Sequence, residues 1–546
     1  MRIALLTEGT YSNTQRGGAW CGRLADGLVE HEFQLYLLAR GERADPGEAG
    51  GPADPGGPGP GRPPVRGLSA VHELPMWGRR PAGRGPSAHR RRLYRSAYEQ
   101  LVRALVLPGE RASFGPGLYR LAELTRADGA LSAFLASSHA LRVLETVWRS
   151  PGADTAAGQP LVRDVLVAAD LLEQCLRPLA ADWYGTGPDG IGSADLCHVV
   201  GGGPAALPAL VTKQLHGIPF LVTEHGLHLR EQYRSYRTAP YRWPVRALLL
   251  SFFRQLAEET YRQAAVLTPG SAYDQQWQQR CGADPARTRV VHEGTPAVAR
   301  EAAGAEPEEP VLVWAGALEP GRDPELMLHA FARIREELPA ARLRMYGEEG
   351  VPGYRAHCAA IAERLGIAAA VAFEGRPAAP AEAWSAGRLV VFSALAQRSP
   401  RLLADAMLSG RAVVATDVGV AREVLGPTGL LVPPRSPMAL AGACLALLGD
   451  EERRSRLGLA GRLRAQERFA VEPVVTAFRE IYLELVSRWP AFPAGERLQP
   501  FARPAEYWVA GAVRPGPPAA GPSADLAGGG VAGQGAPAPG TLAEAV

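Results

Sequence analysis

Short, continuous apolar runs recur along this chain, and most of them are followed directly by glycine or polar residues. Such a run is typical of a parallel strand buried on both faces, with the following residues at the strand's carboxyl end. Most of the intervals are suited to a right-handed helical crossover. The runs occupy residues 2–7, 33–39, 195–200, 219–223, 265–268, 311–318, 342–347, 370–375, 388–393, 412–416 and 430–432. This pattern predicts an α/β chain with two doubly wound, Rossmann-like domains.

The composition between the runs indicates where the domains divide. We expect the first domain over residues 1–300 and the second over residues 301–470. Residues 41–66 are dominated by Gly, Pro, Ala, Asp and Glu, which predicts a disordered insertion. Residues 90–181 carry amphipathic helical patterns and few strand signals, which predicts a helical insertion in the first domain. Residues 491–546 are mostly Pro, Gly and Ala, and we expect a disordered tail there.

Charge and cysteine usage exclude several classes of function. The formal net charge is +3 and no long basic run occurs, so nucleic acid is not an expected partner. The six cysteines show no C-x-x-C spacing, which disfavours a zinc site or a disulfide scaffold and fits a reducing compartment. The first apolar run is too short for a signal peptide, and no segment approaches the ~18 apolar residues of a membrane span. We therefore expect a cytoplasmic protein.

Residues 393–426 contain the clearest candidate for a ligand site. Ser399 followed by Pro400 is a strong helix start, because Ser accepts a free amide N–H and Pro has none to leave unpaired. A helix end of this kind favours a phosphate or another anion. Arg398, Arg401 and Leu402 adjoin it. The pair Gly17-Gly18, ahead of the first expected helix, is a second place where backbone can approach a ligand closely, although a plain tight turn explains it equally well.

The same stretch resembles the donor-binding segment of retaining glycosyltransferases of family 4, which have the GT-B architecture. The matching residues are Pro400, Ala406, Met407, Gly410, Val413, Val414, Ala415 and Thr416. The two signature glutamates of the family are replaced by Gln397 and Asp405. The segment TEHGLHLREQYRSY, which contains His225, resembles the PelF-like exopolysaccharide branch with its DUF3492-type N-terminal domain.

The resemblance implies two domains facing a central cleft. It makes residues 1–300 the acceptor domain and residues 301–470 the nucleotide-sugar domain, with helices over 471–490 crossing back to the first domain. No cofactor is implied beyond the nucleotide diphosphate sugar, a UDP-sugar being the expected donor. No metal site is implied, because no acidic pair beside a diphosphate is evident.

The resemblance also assigns site residues. The family's arginine and lysine motif falls on Gly316 to Arg322, with Ala317 in place of the arginine and Arg322 in place of the lysine. Arg398 and Arg401 are candidates to supply the missing cation. The alternative interpretation, of equal weight, is that both are exposed loop arginines without a role in binding. Asp405 would hold the ribose hydroxyls. His225, Arg322 and Gln397 are the expected catalytic residues, with Gly17, Gly18, Gly316, Ser399, Pro400 and Leu402 in donor binding.

The leading hypothesis is a retaining hexosyltransferase that acts on a polysaccharide or glycan acceptor, with peripheral association with a membrane polysaccharide synthesis complex. The alternative is a catalytically inactive GT-B protein that binds nucleotide or glycan or acts as a scaffold, because Ala317, Gln397 and Glu293 all depart from the family motifs. A sugar-nucleotide epimerase of similar shape is a weaker third hypothesis. Both leading hypotheses require Ser399 and His225 to share one crevice.

Overall fold

The computed structural model describes residues 1–9, 18–39, 67–77, 85–154, 156–295, 303–377, 379–397 and 399–488. The expected disordered insertion at 41–66, the expected tail at 491–546, and the candidates Gly17 and Arg398 lie outside these ranges. Within them, two six-stranded sheets are each built entirely from parallel pairs. The predicted pair of Rossmann-like domains is confirmed.

The first sheet has the strand order β3-β2-β1-β4-β5-β6. Its strands are β1 (Arg2–Gly9), β2 (Glu32–Ala39), β3 (Leu68–Pro75), β4 (Leu196–Val200), β5 (Phe220–Glu224) and β6 (Val266–Pro269). The helices of this part of the chain are α1 (Gly18–Gly27), α2 (Ala88–Val106), α3 (Phe114–Asp128), α4 (Leu131–Leu135), α5 (Ser138–Trp148), α6 (Val162–Leu176), α7 (Ala206–His216), α8 (His228–Thr238), α9 (Trp243–Gln263) and α10 (Ala272–Arg280).

The second sheet has the order β12-β11-β10-β7-β8-β9. Its strands are β7 (Val311–Ala315), β8 (Arg342–Tyr346), β9 (Val371–Gly375), β10 (Leu389–Phe392), β11 (Ala412–Thr416) and β12 (Leu430–Val432). The helices that follow β7 are α11 (Pro324–Glu337), α12 (Tyr354–Arg364), α13 (Pro380–Ser385), α14 (Arg401–Leu408), α15 (Ala421–Leu425), α16 (Pro437–Leu448), α17 (Glu451–Arg468) and α18 (Val471–Ser487).

Each sheet is covered on both faces, because successive residues of a strand point to opposite sides. In β7, Leu312 and Trp314 pack with α11, α12 and α16, whereas Val313 and Ala315 pack with α14, α15 and α17. In the first domain, helices α2 to α6 stand between β3 and β4 in the chain and contribute to the core on one face of the sheet. Helix α18 contributes to the core on the other face, beside α1.

Helix α18 is fixed to the first domain by a buried polar contact. His198 on β4 is fully buried, and its Nδ1 lies 2.7 Å from the Tyr482 hydroxyl while its Nε2 lies 2.6 Å from the Thr223 hydroxyl. Burial lowers the pKa of His198 to about 3, so the ring is neutral. Since both ring nitrogens have partners, His198 joins β4 to α18 and is not a ligand group.

Two local features differ from the sequence-based expectations. Helix α1 begins at Gly18, so this glycine belongs to the first helix and does not precede it. Strand β3 was not predicted. None of the helices in the described part of the chain combines the length and apolarity needed to cross a bilayer.

Candidate functional site

Strand order reverses between β7 and β10 in the second sheet, and ligands of doubly wound sheets bind beyond the carboxyl ends at such a point. The loops after these two strands carry Arg322 and Gln397, and Arg322 Nη1 donates to Gln397 Oε1 at 2.9 Å. Ser393, directly after β10, lies with its hydroxyl 2.7 Å from the carbonyl oxygen of Asp323. The two predicted catalytic residues of this domain are therefore brought together where a ligand is expected.

The amino end of α14 lies beside this pair. The helix begins at Arg401 with Pro400 as its cap residue, one position later than the sequence indicated. The expected capping contact is nevertheless made, since the Arg401 N–H donates to Ser399 Oγ at 3.2 Å. Gln397 Nε2 donates to the Ser399 carbonyl oxygen at 2.9 Å, and this bond fixes the loop that precedes the helix. Leu402 is half-buried on its first turn.

The loop that carries Gln397 depends on a glycine. Gly419 has a φ of +57°, and a Cβ at this position would lie 1.8 Å from the Gln397 carbonyl oxygen. Val420 donates its N–H to the same oxygen at 3.0 Å. The chain before α15 therefore packs directly against the Gln397 backbone, and only glycine fits there.

The first domain contributes His225, directly after β5. Its ring lies 4.9 Å from that of Trp20, between ring centroids, and its Nε2 atom is buried without a hydrogen-bond partner. Burial lowers its pKa, with the Arg23 and His292 charges adding to the effect and the Glu293 carboxylate opposing it. His225 is therefore a neutral imidazole near pH 7, with one ring nitrogen available to a ligand.

Glu224 holds the turn that presents His225. Its Oε2 accepts hydrogen bonds from the Tyr261 hydroxyl and from Gln278 Nε2, both at 2.7 Å, and its Oε1 accepts from the His228 N–H at 3.3 Å. Burial raises its pKa to about 7, against the lowering effect of these three donors. Glu224 is thus a positioning residue that ties the end of β5 to helices α8, α9 and α10.

Glu293 connects the two halves of the site. Its carbonyl oxygen accepts from the Trp20 indole N–H at 2.8 Å, and its Oε2 accepts from the Ser399 hydroxyl at 3.1 Å. Trp20 packs against His225, so direct contacts link Ser399 to His225 where the two domains meet, a junction that we call the crevice. Ser399 and His225 are therefore not on opposite surfaces of the molecule, as both leading hypotheses require.

Asp405 lies on α14, four residues after Arg401, and faces this crevice. Its side chain is buried, its Oδ1 has no hydrogen-bond partner, and Thr295 contributes a side-chain hydrogen bond. Burial raises the pKa of Asp405 to about 6; the Glu293 carboxylate also raises it, and Arg401 and Arg23 oppose the shift. A carboxyl with an unpaired oxygen is suited to hydrogen-bond ligand hydroxyls.

A second contact between the domains lies beside the crevice. The N–H of Ala272, at the start of α10, donates to both carboxylate oxygens of Glu423 on α15, at 3.0 and 2.9 Å. A carboxylate at the amino end of a helix is favoured by the free amides and by the helix dipole. This contact holds the first domain against the helix that follows the Gln397 loop.

Of the sequence-derived site residues, Arg322, Gln397, Ser399, Arg401 and His225 are connected by contacts, the last through Glu293 and Trp20, whereas Gly17 and Arg398 lie outside the described residues. Gly316 follows β7 directly, where a Cβ would lie 3.3 Å from the Trp314 ring. Sequence reasoning missed Trp20 and Arg23; their three-residue spacing on the helix after Gly17-Gly18 was the available signal. Among the described residues no group of three or more His, Cys, Asp or Glu side chains could hold a metal ion, and a metal-free reaction stays a prediction.

Comparison with known proteins assigns the two domains to families. The sequence profile described as "Domain of unknown function (DUF3492)" matches residues 1–286, and that of "Glycosyl transferases group 1" matches residues 309–450. A D-inositol 3-phosphate glycosyltransferase of Nocardia farcinica is 33% identical over 188 residues, which cover 33% of this chain and 41% of that protein. The chain therefore spans less than half the length of this relative.

Solved structures share the fold at low sequence identity. A sucrose-phosphate synthase of Thermosynechococcus elongatus aligns with a TM-score of 0.51 at 17% identity and covers 89% of this chain and 99% of its own. Anabaena Alr3699/HepE, in complex with UDP and glucose, aligns with a TM-score of 0.50 at 14% identity, covering 88% and 99%. The expected GT-B architecture is confirmed. The chain belongs to the DUF3492 family, and its second domain is of the glycosyl transferases group 1 type.

Proposed function

We propose that this protein is a retaining glycosyltransferase that moves a hexose from a nucleotide diphosphate sugar to a glycan or polysaccharide acceptor. The supporting observation is a pair of buried, unpaired polar atoms, His225 Nε2 from one domain and Asp405 Oδ1 from the other. Leaving such an atom without a partner costs about 1–3 kcal/mol, so two of them at one crevice point to hydroxyl groups of a ligand.

Each part of the crevice suits one part of the donor. The amino end of α14, with the Ser399 hydroxyl and Arg401, suits the diphosphate, whose charge grows as the sugar–phosphate bond breaks. Asp405 suits the ribose hydroxyls. Gln397, oriented by Arg322 at 2.9 Å, suits a sugar hydroxyl. His225 suits a hydroxyl next to the reacting carbon.

In the proposed reaction the bond between the anomeric carbon and the diphosphate oxygen breaks, and the acceptor oxygen bonds to the same carbon on the same face. The acceptor's proton passes to the departing diphosphate, so the products are the glycoside and the nucleoside diphosphate. This chain's residues stabilise the leaving charge and orient the sugar. Electrostatic stabilisation of this kind is often the largest single catalytic contribution.

The nature of the donor and the acceptor forms part of the proposal. The Anabaena structure holds UDP and glucose, which is consistent with a UDP-sugar donor here. The PelF-like segment around His225 favours an exopolysaccharide precursor as acceptor, made by a cytoplasmic enzyme that associates peripherally with a membrane complex.

Two specific observations favour the inactive alternative. Ala317 stands where the family has an arginine, and the Glu293 carboxylate contacts Ser399 at the helix end proposed for the phosphate. Removing one stabilising donor from such a site costs about 2.7–4 kcal/mol of catalysis. A protein with these two changes can bind a nucleotide and lack turnover.

Purified protein incubated with UDP-, GDP- and ADP-sugars separates these possibilities. We expect slow hydrolysis of one donor that disappears in His225→Ala and persists in His89→Ala, a matched control whose side chain is exposed on α2. Binding without turnover, across a wide set of acceptors, would instead identify the inactive protein. Absence of both binding and turnover with every donor would refute the donor site itself.

A further inference from the structure

Helix α1 carries a cation into the crevice from the first domain. Trp20 and Arg23 are three residues apart and therefore lie on neighbouring positions of one helix face. The Trp20 indole donates to the Glu293 carbonyl oxygen at 2.8 Å and packs against His225. That face of α1 is consequently turned towards the crevice, and the half-buried Arg23 side chain lies on it.

The charges that act on Arg23 come from both domains. Burial has the largest effect on its pKa and lowers it, and the Arg401 guanidinium lowers it further. The carboxylates of Glu293 and Asp405 act in the opposite direction. Arg23 on α1 and Arg401 at the start of α14 are thus like charges from the two domains that act on each other, on either side of the contacts that join Trp20, Glu293 and Ser399.

Two carboxylates, Glu293 and Asp405, share this environment with the arginine pair. Burial raises the pKa of Asp405 to about 6, and the Glu293 carboxylate accepts the Ser399 hydroxyl at 3.1 Å. Two guanidinium groups held near each other in a half-buried place repel, and an anion between them converts that repulsion into attraction on both sides. Arginine suits this task because its fork of donors matches phosphate oxygens.

We propose that Arg23 is a phosphate-binding residue that acts with Arg401 as a two-sided clamp on the diphosphate of the donor. This inference rests on the proposed function. It supplies, from the opposite domain, the positive charge that is missing at Ala317. Because the clamp joins groups from both domains, the diphosphate also draws the domains together around the sugar.

The test measures binding of UDP, UMP and uridine to the full-length chain by calorimetry, and GDP and ADP are also titrated into the wild-type chain. We expect Arg23→Gln and Arg401→Gln each to weaken UDP binding about 10-fold, to weaken UMP binding less, and to leave uridine binding unchanged. Arg23→Lys retains part of the affinity. Arg333→Gln, which removes an equally charged exposed residue of α11, is the matched control and leaves UDP binding unchanged.

Each outcome decides between distinct possibilities. If the wild-type chain binds UDP and Arg23→Gln binds it equally well, the clamp is refuted and the donor site stands. If uridine binding falls as much as UDP binding, Arg23 acts on the shape of the site and not on phosphate. If the wild-type chain binds none of UDP, GDP and ADP, the proposed function fails together with the clamp. Arg23→Met, which keeps a long side chain, replaces Arg23→Gln if that variant loses its thermal transition.

Discussion

Replacing Glu293 with Gln removes one negative charge from the crevice and leaves its shape nearly unchanged. The side chain keeps its length and an oxygen that accepts the Ser399 hydroxyl, now 3.1 Å away. In the proposed function a diphosphate binds at this helix end, where the Glu293 carboxylate opposes it. We therefore expect Glu293→Gln to bind UDP more tightly than the wild-type chain.

The size of the effect follows from the geometry. A phosphate that accepts from the Ser399 hydroxyl would stand about 6 Å from the carboxylate, and two unit charges at that distance repel by roughly 3 kcal/mol at an effective dielectric constant of about 20. Rotation of the Glu293 side chain towards Arg23 relieves part of this repulsion. An observed gain of about 1–2 kcal/mol, or roughly 5- to 30-fold in Kd, is expected.

Calorimetric titration with UDP and with uridine provides the measurement, at low salt and at high salt. The gain should be confined to UDP and should shrink as salt is raised, because added ions screen the repulsion. Glu336→Gln is the control, since Glu336 is 63% exposed on α11 and its loss changes the net charge equally. Unchanged or weaker UDP binding in Glu293→Gln would show that the carboxylate does not oppose the phosphate.

Three further perturbations test the supports of the site. Since the pKa of Glu224 is raised from 4.5 to about 7, its carboxyl favours folding at low pH, and this contribution, roughly 3 kcal/mol, is lost as pH rises from about 4.5 through 7. Between about pH 5 and about pH 8, Glu224→Gln should therefore lose less Tm than the wild type; an equal loss of Tm in the two proteins refutes this contribution. Glu423→Ala should reduce stability by about 1 kcal/mol and, by releasing the Ala272 N–H, increase the radius of gyration measured by X-ray scattering. An unaltered radius of gyration contradicts the role of this contact. Gly419→Ala should displace Gln397, and this should lower Tm, reduce stability by more than about 1 kcal/mol and abolish donor hydrolysis. Normal donor hydrolysis in this variant would refute the steric clash with Gln397.

Much of the fold follows from local rules in the sequence. The apolar runs of the second domain became strands within three residues of their expected bounds: β10 (Leu389–Phe392) differs by one residue at each end and β11 (Ala412–Thr416) does not differ. Such strands are buried on both faces, so their sequence carries an unbroken signal. Strand β3 lies at the sheet edge and alternates between exposed and half-buried residues, with His72 and Glu73 inside it, so no apolar run marks it.

The candidate site was less accessible to sequence reasoning, because its contacts depend on topology. Ser399 was recognised through a capping rule that acts over two residues. The bond between Arg322 and Gln397 joins residues 75 positions apart, and it exists because β7 and β10 are neighbours in the sheet. The contact between Glu293 and Trp20 crosses 273 positions. No local pattern encodes distances of this kind.

The motif departures acquire a common explanation once the residues are seen in space. Compared with the family motif at the same positions, Ala317 removes a positive charge and Glu293 adds a negative charge. Both changes weaken phosphate binding. Arg23 on α1 and Arg401 on α14 come from opposite domains and act on each other, so α1 adds to the crevice a positive charge that the family motif does not include. The binding free energy of a phosphate depends on the total electrostatic field of the assembled crevice, whichever segment supplies each charge. In the proposed clamp Arg23 supplies the positive charge that is absent at Ala317, and the UDP titrations of the Arg23→Gln and Arg23→Lys variants measure the contribution of that charge.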